Sequence, residues 1–473
     1  METAAKASMP VTSELGAWVS GLGFSSIPSG VVTHLKLCVL DSLGCGLFGA
    51  MQPWGKIAGD VAVSFSGGGA SSLFGRPEKV SPPDAALANG TAIHGFEIDD
   101  AHVSSSFHPG AVTLPAGLAV AEARTASSAE LLVALAAGYE VGIRVGICAG
   151  VSHSTSGYHV TGTVGAIGAA AAAARLLRLN PEQTAHALAI GATQAAGLYG
   201  ARTGAMTKRF HAGRASQSGV TAAYLARQEF TGGLDALEAP FGGFMSTLRG
   251  QSDARTILDG LGDHWETGSV GLKAYAACAS AHTTVDGVRE LRRQGLTAAN
   301  LERLTIRMSK KGHLNIGWPY YPGEVLTAQM NGFYAAAVTL LDGDAFIDQY
   351  APGRLADPAL LALLPRIELV HDPELDRGGA PKRHAIRVDA KRRDGSLLTA
   401  FVEQRRGSPE HPLAPAELEQ KFRRVAAACL TDKAIDEMIG IVDRLEAQPN
   451  VDHLAALIAT RPRRASGTLD EPG

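Results

Sequence analysis

Aromatic side chains make up only 6% of the 473 residues, and neither sign of charge dominates: 43 lysines and arginines stand against 46 acids, a formal net charge of −3. Such a chain offers no basic field to phosphate backbones or anionic lipid. It also has no aromatics set among basic runs on which bases could stack, so no nucleic acid and no membrane is expected as a partner. Cysteine is scarce too. Cys38, Cys45, Cys148, Cys278 and Cys429 are odd in number, scattered and never spaced as CxxC. That argues against a disulfide framework, a structural zinc site or an iron–sulfur cluster, and fits a reducing, cytoplasmic location. No run of roughly twenty apolar residues reads as a membrane span. The opening METAAKASMPVTSELGAWV lacks the basic-then-apolar pattern of a signal peptide. GxSxG and P-loop patterns are missing. Gly162, Gly165 and Gly168 recur without making GxGxxG, so they are read as permitting close helix packing.

What is present is apolar material for a large core, 45% hydrophobic against 19% charged, in a chain long enough for two domains. Helical spacing predicts a short helix over residues 13–22 and a longer one over 28–47, where Val31, Val32, Leu35, Cys38, Val39 and Leu43 recur. Residues 66–84 read as a Gly/Ser/Pro-rich loop. Residues 111–126, 128–149 and 164–177 read as Ala-rich buried helices. Asn180-Pro181-Glu182-Gln183 is a cap, a first-turn proline and a capping-box partner. Residues 200–219 read as a polar loop. Near residue 272 the texture changes. Residues 304–308, 366–370 and 385–390 alternate as strands, Asp394-Gly395 signals a hairpin, and 281–295 and 326–341 read as helices. The expected fold is mostly α: an all-helical domain from residues 1–271 and 406–460, a smaller α+β unit over 272–405, and a disordered tail at 461–473.

Four polar spots interrupt this apolar chain. The first, HGFEIDDAHVSSSFHPG (residues 94–110), packs Glu97, Asp99, Asp100, His94, His102 and His108 between two apolar helices. The second is Gly157-Tyr158-His159. The third is Met206-Thr207-Lys208-Arg209-Phe210-His211. The fourth, KAYAACASAH, runs from Lys273 to His282. Each alone has an ordinary structural reading, as a capped turn, a satisfied core histidine or a solvated pair. Together they place titratable groups at loop–helix junctions, where pKa values are tuned, and at a domain boundary, where clefts lie. Asp100, His102 and His108 could suggest a metal, but no second ligand cluster with recognisable spacing accompanies them, and none is expected.

NGTAIHGFEIDD (89–100), HPG (108–110), GYHVTGTVGAIGAAAAAARLL (157–177), MTKRFHAGRASQSG (206–219), KAYAACASAH (273–282) and GWPYYPGEVLTAQMN (317–331) follow one another in the order of the MmgE/PrpD family, which the chain resembles from about residue 12 to 446. That family includes 2-methylcitrate dehydratase, cis-aconitate decarboxylase and iminodisuccinate epimerase. The resemblance implies a helical domain completed by the C-terminal helices, a smaller α+β lid domain, a homodimer, and chemistry on a small di- or tricarboxylate without a cofactor. It implies active-site positions at His108, His159, Lys208 and His282, with Glu97 and Asp100 from the acidic motif. His102, Lys273, Tyr320 and Tyr321 are further candidate substrate contacts. Two departures, Glu97 where the family often has Asp and Ala101 where it often has Thr, leave the substrate open. Histidine suits proton transfer near neutrality, so His159 and His282 are the candidate acid/base groups. Lys208 and His108 are the candidate carboxylate holders. Dehydration, decarboxylation and epimerisation all stay open, as does a non-catalytic module binding a small anion.

Overall fold

The computed structural model describes residues 9–248, 253–379 and 382–461. Helices begin where a side chain satisfies an orphan N–H. Ser81, Ser127 and Asn180 each accept from the backbone three residues on, and Glu130 and Gln183 answer Ser127 and Asn180 to close capping boxes. The first part of the chain runs α1 (Val11–Gly21), α2 (Ser29–Ala50), α3 (Pro53–Ser66), β1 (Ser71–Leu73), β2 (Arg76–Val80), α4 (Pro82–Ile93), α5 (Gly110–Arg124), α6 (Ser128–Thr155), α7 (Val160–Leu176), α8 (Pro181–Thr193), α9 (Thr207–Arg227) and a single turn, α10 (Phe244–Thr247). Helix α7 sits in the middle, packed by α5, α6, α8 and α9, and every residue from Val160 to Ala174 is buried. Small residues set these distances. A Cβ on Gly168 would stand 2.8 Å from the Gly138 carbonyl oxygen, and one on Gly219 would stand 2.4 Å from the Ala169 Cβ.

The second part runs α11 (Ala279–Arg293), β3 (Leu301–Met308), α12 (Lys310–Ile316), α13 (Val325–Gln329), α14 (Gly332–Asp342), the single turns α15 (Pro352–Leu355) and α16 (Pro358–Leu361), β4 (Ile367–His371), the turn α17 (Pro373–Asp376), β5 (Ile386–Arg392) and β6 (Leu397–Val402). Its sheet has the order β4-β3-β5-β6, with β3 and β4 parallel and the other neighbours antiparallel. α11 and α14 pack on it. Helices α18 (Pro415–Ala426), α19 (Asp432–Asp443) and α20 (Asp452–Ile458) then return to the helical part. α18 packs on α2, and Lys421 reaches through to the buried Asp41 Oδ1 at 2.5 Å and to the Ile98 carbonyl at 2.6 Å. The fold is mostly α with a smaller α+β unit, as the sequence predicts.

Several local expectations fail, each for a tertiary reason. Residues 66–84 contain the hairpin β1–β2, because the buried Ser72 finds partners in the Glu122 carboxylate and Phe74 N–H finds one in Asn89. Local propensity does not show those partners. Residues 207–219 are helix and not loop: Lys208, Arg209 and His211 are polar yet buried, on the α9 face that meets the acidic motif. The helix expected over 326–341 breaks at Asn331, whose side chain caps α14 and donates to the Trp318 carbonyl. Helices α2 and α6 are long and apolar enough to cross a membrane, against the expectation of no such run. Both are core helices here. Asp41 of α2 is paired to Lys421, and Arg144 of α6 pairs with Glu140 at 3.0 Å while donating to the Asp259 carbonyl at 2.7 Å. The tail at 461–473 lies, beyond Arg461, outside the described residues.

The α7–α9 seam yields a stability test. Gly219→Val forces atoms into backbone that cannot move aside, and should cost about 2–3 kcal/mol. Gly30→Ala, in the first turn of α2 with nothing within 4 Å of its Cβ, should be neutral or slightly stabilising. Thermal melting of both variants checks this. Equal melting points for Gly219→Val and the parent would mean the helices are not in this contact.

Candidate active site

The acidic motif is shaped by its own side chains. After α4 the chain makes a single tight turn, and Glu97 takes a left-handed backbone with φ 57°. A non-glycine residue holds that conformation only where its surroundings enforce it. Asp100 braces the rest of the loop: its carboxyl accepts from Gly110 N–H at 3.0 and 3.2 Å and meets the Tyr139 hydroxyl at 2.8 Å, tying the middle of the motif to the start of α5. Gly110 is required at that point, since a Cβ there would lie 2.2 Å from Ser42 Oγ. Ala101 bridges to Gly271, and His102 N–H donates to the Phe107 carbonyl at 2.9 Å.

Around this loop four charges are buried together. Lys208 donates to Glu97 Oε1 and lies 3.3 Å from His94 Nε2. Lys273 lies 3.3 Å from Glu97 Oε2 and 3.4 Å from Asp99 Oδ1. An ammonium only donates, so His94 Nε2 holds the lone pair and its Nδ1–H donates to Asp99 Oδ2 at 2.7 Å. His108 Nδ1 faces two oxygens, the Asp100 carbonyl at 2.6 Å and Asp99 Oδ2 at 3.1 Å, so it too carries a proton. Burial pushes Glu97 and Asp99 up, but the two lysines and the histidines outweigh it. Glu97 is held well below the usual carboxylate range by Lys208 and Lys273, and Asp99 by His108, His94 and Lys273. Asp100 goes the other way: burial and the Asp99 charge push it up to about 8. His94 is pulled down to about 4 by burial and Lys208.

His94, Asp99 and His108 present possible metal-ligand atoms within 4.8 Å of one another. The donor set does not suit a cation. Both Nδ1 atoms carry protons directed at Asp99, and the Lys273 ammonium occupies the same carboxylate. The group is a hydrogen-bonded ion cluster.

Next to the cluster is a cavity between the two parts of the chain. Glu97, His102, His108, His159, Tyr199 and Lys208 line it from the helical side; Cys278, Ser280, Lys311, Asn315, Arg383 and His384 line it from the other. His159, the residue before α7, stacks on His94 with ring centres 5.4 Å apart, and its Nδ1 lies 3.0 Å from Nδ1 of His211. One ring must donate and the other accept, so at most one proton lies between them. Burial, then Lys208, hold His159 well below its ordinary value, and the same two causes bring His211 down to about 4. The empty pair is neutral at pH 7.

Of the candidates read from the sequence, Glu97, His102, His108, His159 and Lys208 meet at this cavity. Asp100 and Lys273 lie behind it as supports. His282 does not line it. Ser280 does, and His282 stands two residues on, about 200° around α11, where its Nε2–H donates to the Ala277 carbonyl at 3.2 Å and its ring meets Tyr275 edge-on. Cys278 lines the cavity instead, because it precedes the helix with extended backbone. Tyr320 is buried away from it, donating to the Leu355 carbonyl at 2.8 Å, and Tyr321 is 70% exposed. Sequence reasoning named His94, Asp99 and His211 within its polar motifs without giving them a role, and it left out Tyr199, Lys311, Arg383 and His384. The spacing of Lys208 and His211, one helical turn apart, was a readable signal once α9 was taken as helix. Lys311 and Arg383 had none.

The opposite pKa directions of the two aspartates make a test. Asp100 stays protonated when folded, so its contribution to stability falls as pH rises from about 4 to about 8. Asp100→Asn should remove that fall, and its melting point relative to the parent should rise over that range. Asp99→Asn removes a carboxylate the cluster needs charged and should cost about 3–5 kcal/mol at neutral pH. Melting curves of both variants between pH 5 and 8 check it; equal losses would contradict the assignment.

The sequence matches models of the MmgE/PrpD N-terminal domain over residues 13–256 and the MmgE/PrpD C-terminal domain over residues 275–447. It is 31% identical to the cis-aconitate decarboxylase-like protein oryM of Aspergillus oryzae, with 95% of this chain and 97% of that protein aligned. It is 29% identical to a cis-aconitate decarboxylase of Aspergillus terreus, over 95% of this chain and 96% of that one, and 28% identical to the cis-aconitate decarboxylase of Homo sapiens, over 95% and 94%. The chain belongs to the MmgE/PrpD family, and it is an enzyme of the lyase class.

Proposed function

We propose that this lyase decarboxylates cis-aconitate, or a small tricarboxylate of the same pattern, using protein side chains alone. The chemistry sets what the site must do. cis-Aconitate carries a carboxylate on each vinyl carbon and one on a methylene. Losing CO2 from a vinyl carbon would leave an unstabilised anion. Losing it from the methylene sends the C–C electron pair into an allyl system conjugated with the far carboxylate. The double bond shifts, one proton is taken up at the far carbon, and 2-methylenesuccinate and CO2 result. The site must hold carboxylates, stabilise charge on one of them and deliver one proton.

The observation that carries this reading is a cationic cavity with a neutral histidine, His159, in its wall. The Lys208 ammonium has three N–H donors. Glu97 and His94 take two of them, leaving one for a substrate carboxylate. His159 is neutral in the empty site, and an anion beside it would raise its proton affinity, so it would become an acid when substrate is bound. His211 stands behind it as the partner of Nδ1. Val103, Val160, Ala279 and Met330 add apolar surface to the wall. A leaving carboxylate is weakly solvated there. The relatives named cis-aconitate decarboxylase favour this reaction over dehydration or epimerisation.

Incubation with cis-aconitate in deuterated water, followed by proton NMR, should give 2-methylenesuccinate carrying one deuterium on its saturated carbon, before and after dialysis against a strong chelator. Turnover of 2-methylcitrate or exchange into iminodisuccinate instead would reassign the substrate. Binding without turnover would make the protein an anion-binding module. His159→Ala should lower kcat about 10²–10⁴-fold with little change in KM. A near-normal kcat would remove His159 as the acid. We also propose a homodimer, for which light scattering should give about twice the 49.1 kDa chain mass; a monomer at micromolar concentration would count against it.

A further inference from the structure

Arg383 is an arginine left partly without work. One of its terminal nitrogens, Nη2, donates to the Val103 carbonyl of the acidic motif. Its Nε and its other terminal nitrogen, Nη1, are buried with no partner among the described residues, and the side chain lines the cavity. Burying guanidinium N–H groups unpaired is costly, and a protein that does so at a cavity wall has shaped the place for an acceptor. Lys311 lines the same wall and, among the described residues, has Ser154 Oγ, 3.3 Å away, as its hydrogen-bond partner. Burial pulls Arg383 down to about 10 and, with the nearby Arg383 charge, Lys311 down to about 8, so both remain cationic at pH 7. Among the described residues, the acid in the cavity wall is Glu97, already taken by Lys208 and Lys273. Two cations therefore face the cavity on the α+β side with no carboxylate among the described residues to answer them.

We propose that Arg383 and Lys311 form a second carboxylate subsite, which holds the carboxylate of a tricarboxylate substrate farthest from Lys208. The inference rests on the carboxylate reading of the cavity and extends it to specificity. Arg383 offers one carboxylate oxygen an unpartnered N–H, from Nε or Nη1, and the other oxygen the second N–H of Nη2, and Lys311 adds charge beside them. The substrate then spans the gap between α9 and the α+β unit. Arg383 already ties that unit to Val103, so an occupied subsite fastens the two walls together. A dicarboxylate lacks one of the three carboxylates and leaves one of these contacts unmade.

The test uses the full-length protein and unreactive ligands in titration calorimetry. Propane-1,2,3-tricarboxylate should bind the parent more tightly than glutarate or succinate, which each lack one of its carboxylates. Arg383→Gln should weaken the tricarboxylate about 10–100-fold, the range for lost hydrogen bonds to a charged group. It should leave at least one of the two dicarboxylates within about threefold of its parent affinity. Arg383→Lys should recover part of the loss. Lys311→Met should weaken the same ligand in the same sense, and it serves if Arg383→Gln does not fold. With cis-aconitate the same variants should raise KM far more than they lower kcat, a split that a merely structural arginine would not produce. The proposal is overturned if the parent binds the tricarboxylate no better than both dicarboxylates, or if the variants lose all three ligands alike. A parent that makes this discrimination yet fails to decarboxylate cis-aconitate keeps the subsite and refutes only the proposed reaction.

Discussion

Two carboxylates and two ammonium groups, closed from water, hold this site together. Glu97 sits between Lys208 and Lys273, and Asp99 between Lys273 and the His94 and His108 rings. Removing four charges from water costs several kcal/mol each, and the set is tolerable only because it is complete and neutral. It joins three separate pieces of chain: the acidic motif, the first turn of α9, and the segment leading into α11. The buried Lys421, bound to Asp41 and to the Ile98 carbonyl, adds the C-terminal helices to the same loop. The loop is braced by Asp100, and its charges are held from three directions.

The same cluster sets the protonation of everything next to it. Lys208 depresses His94, His159 and His211 at once, on top of the burial that already disfavours their charged forms. Neutral imidazoles therefore stand beside a fixed positive charge, with His159 at the cavity wall. On the proposed reaction an entering anion would reverse the field that ring feels and make it able to carry a proton. Asp100 illustrates the converse. It has no cation of its own, lies near the Asp99 charge, and so stays protonated as a neutral hydrogen-bonding brace.

How much of this could be read from the sequence depended on how local the cause was. Asn180 and Ser127 start their helices through side chains three residues away, and such caps are visible in a single line of sequence. His159, Lys208 and His108 were legible because each sits beside a chain reversal between apolar helices, in motifs that resemble the family. The β1–β2 hairpin was not legible, because its serines are buried against Glu122, some fifty residues on. Helix α9 looked like a loop because a helix that turns Lys208, Arg209 and His211 inward breaks the rule that polar faces point out. His282 stood out as a histidine near a domain boundary. Only the start of α11 fixes that Cys278 and Ser280, and not His282, meet the cavity. Arg383 and Lys311 lie far apart in sequence and come together only after the sheet has formed.

The cavity divides its tasks between two supports of different character. On the helical side the ion cluster is tied together: Glu97, Asp99, His94 and Lys208 are partnered to one another, Asp100 is bound to the backbone of α5, and one Lys208 N–H is left over. A network in that state is stiff, since moving one member strips hydrogen bonds from several others. On the α+β side Arg383 has buried donors to spare and Lys311 one weak partner. Groups in that state gain most from a ligand, because the cost of desolvating them is already met in the empty protein. A rigid wall suits proton transfer, where a misplaced donor is a lost reaction. A wall with uncommitted cations suits recognition, where the ligand supplies the missing partners. The chain thus puts its tightly partnered groups on packed helices and its unanswered charge on the α+β unit, and on the proposed reading a substrate would complete the contact between them.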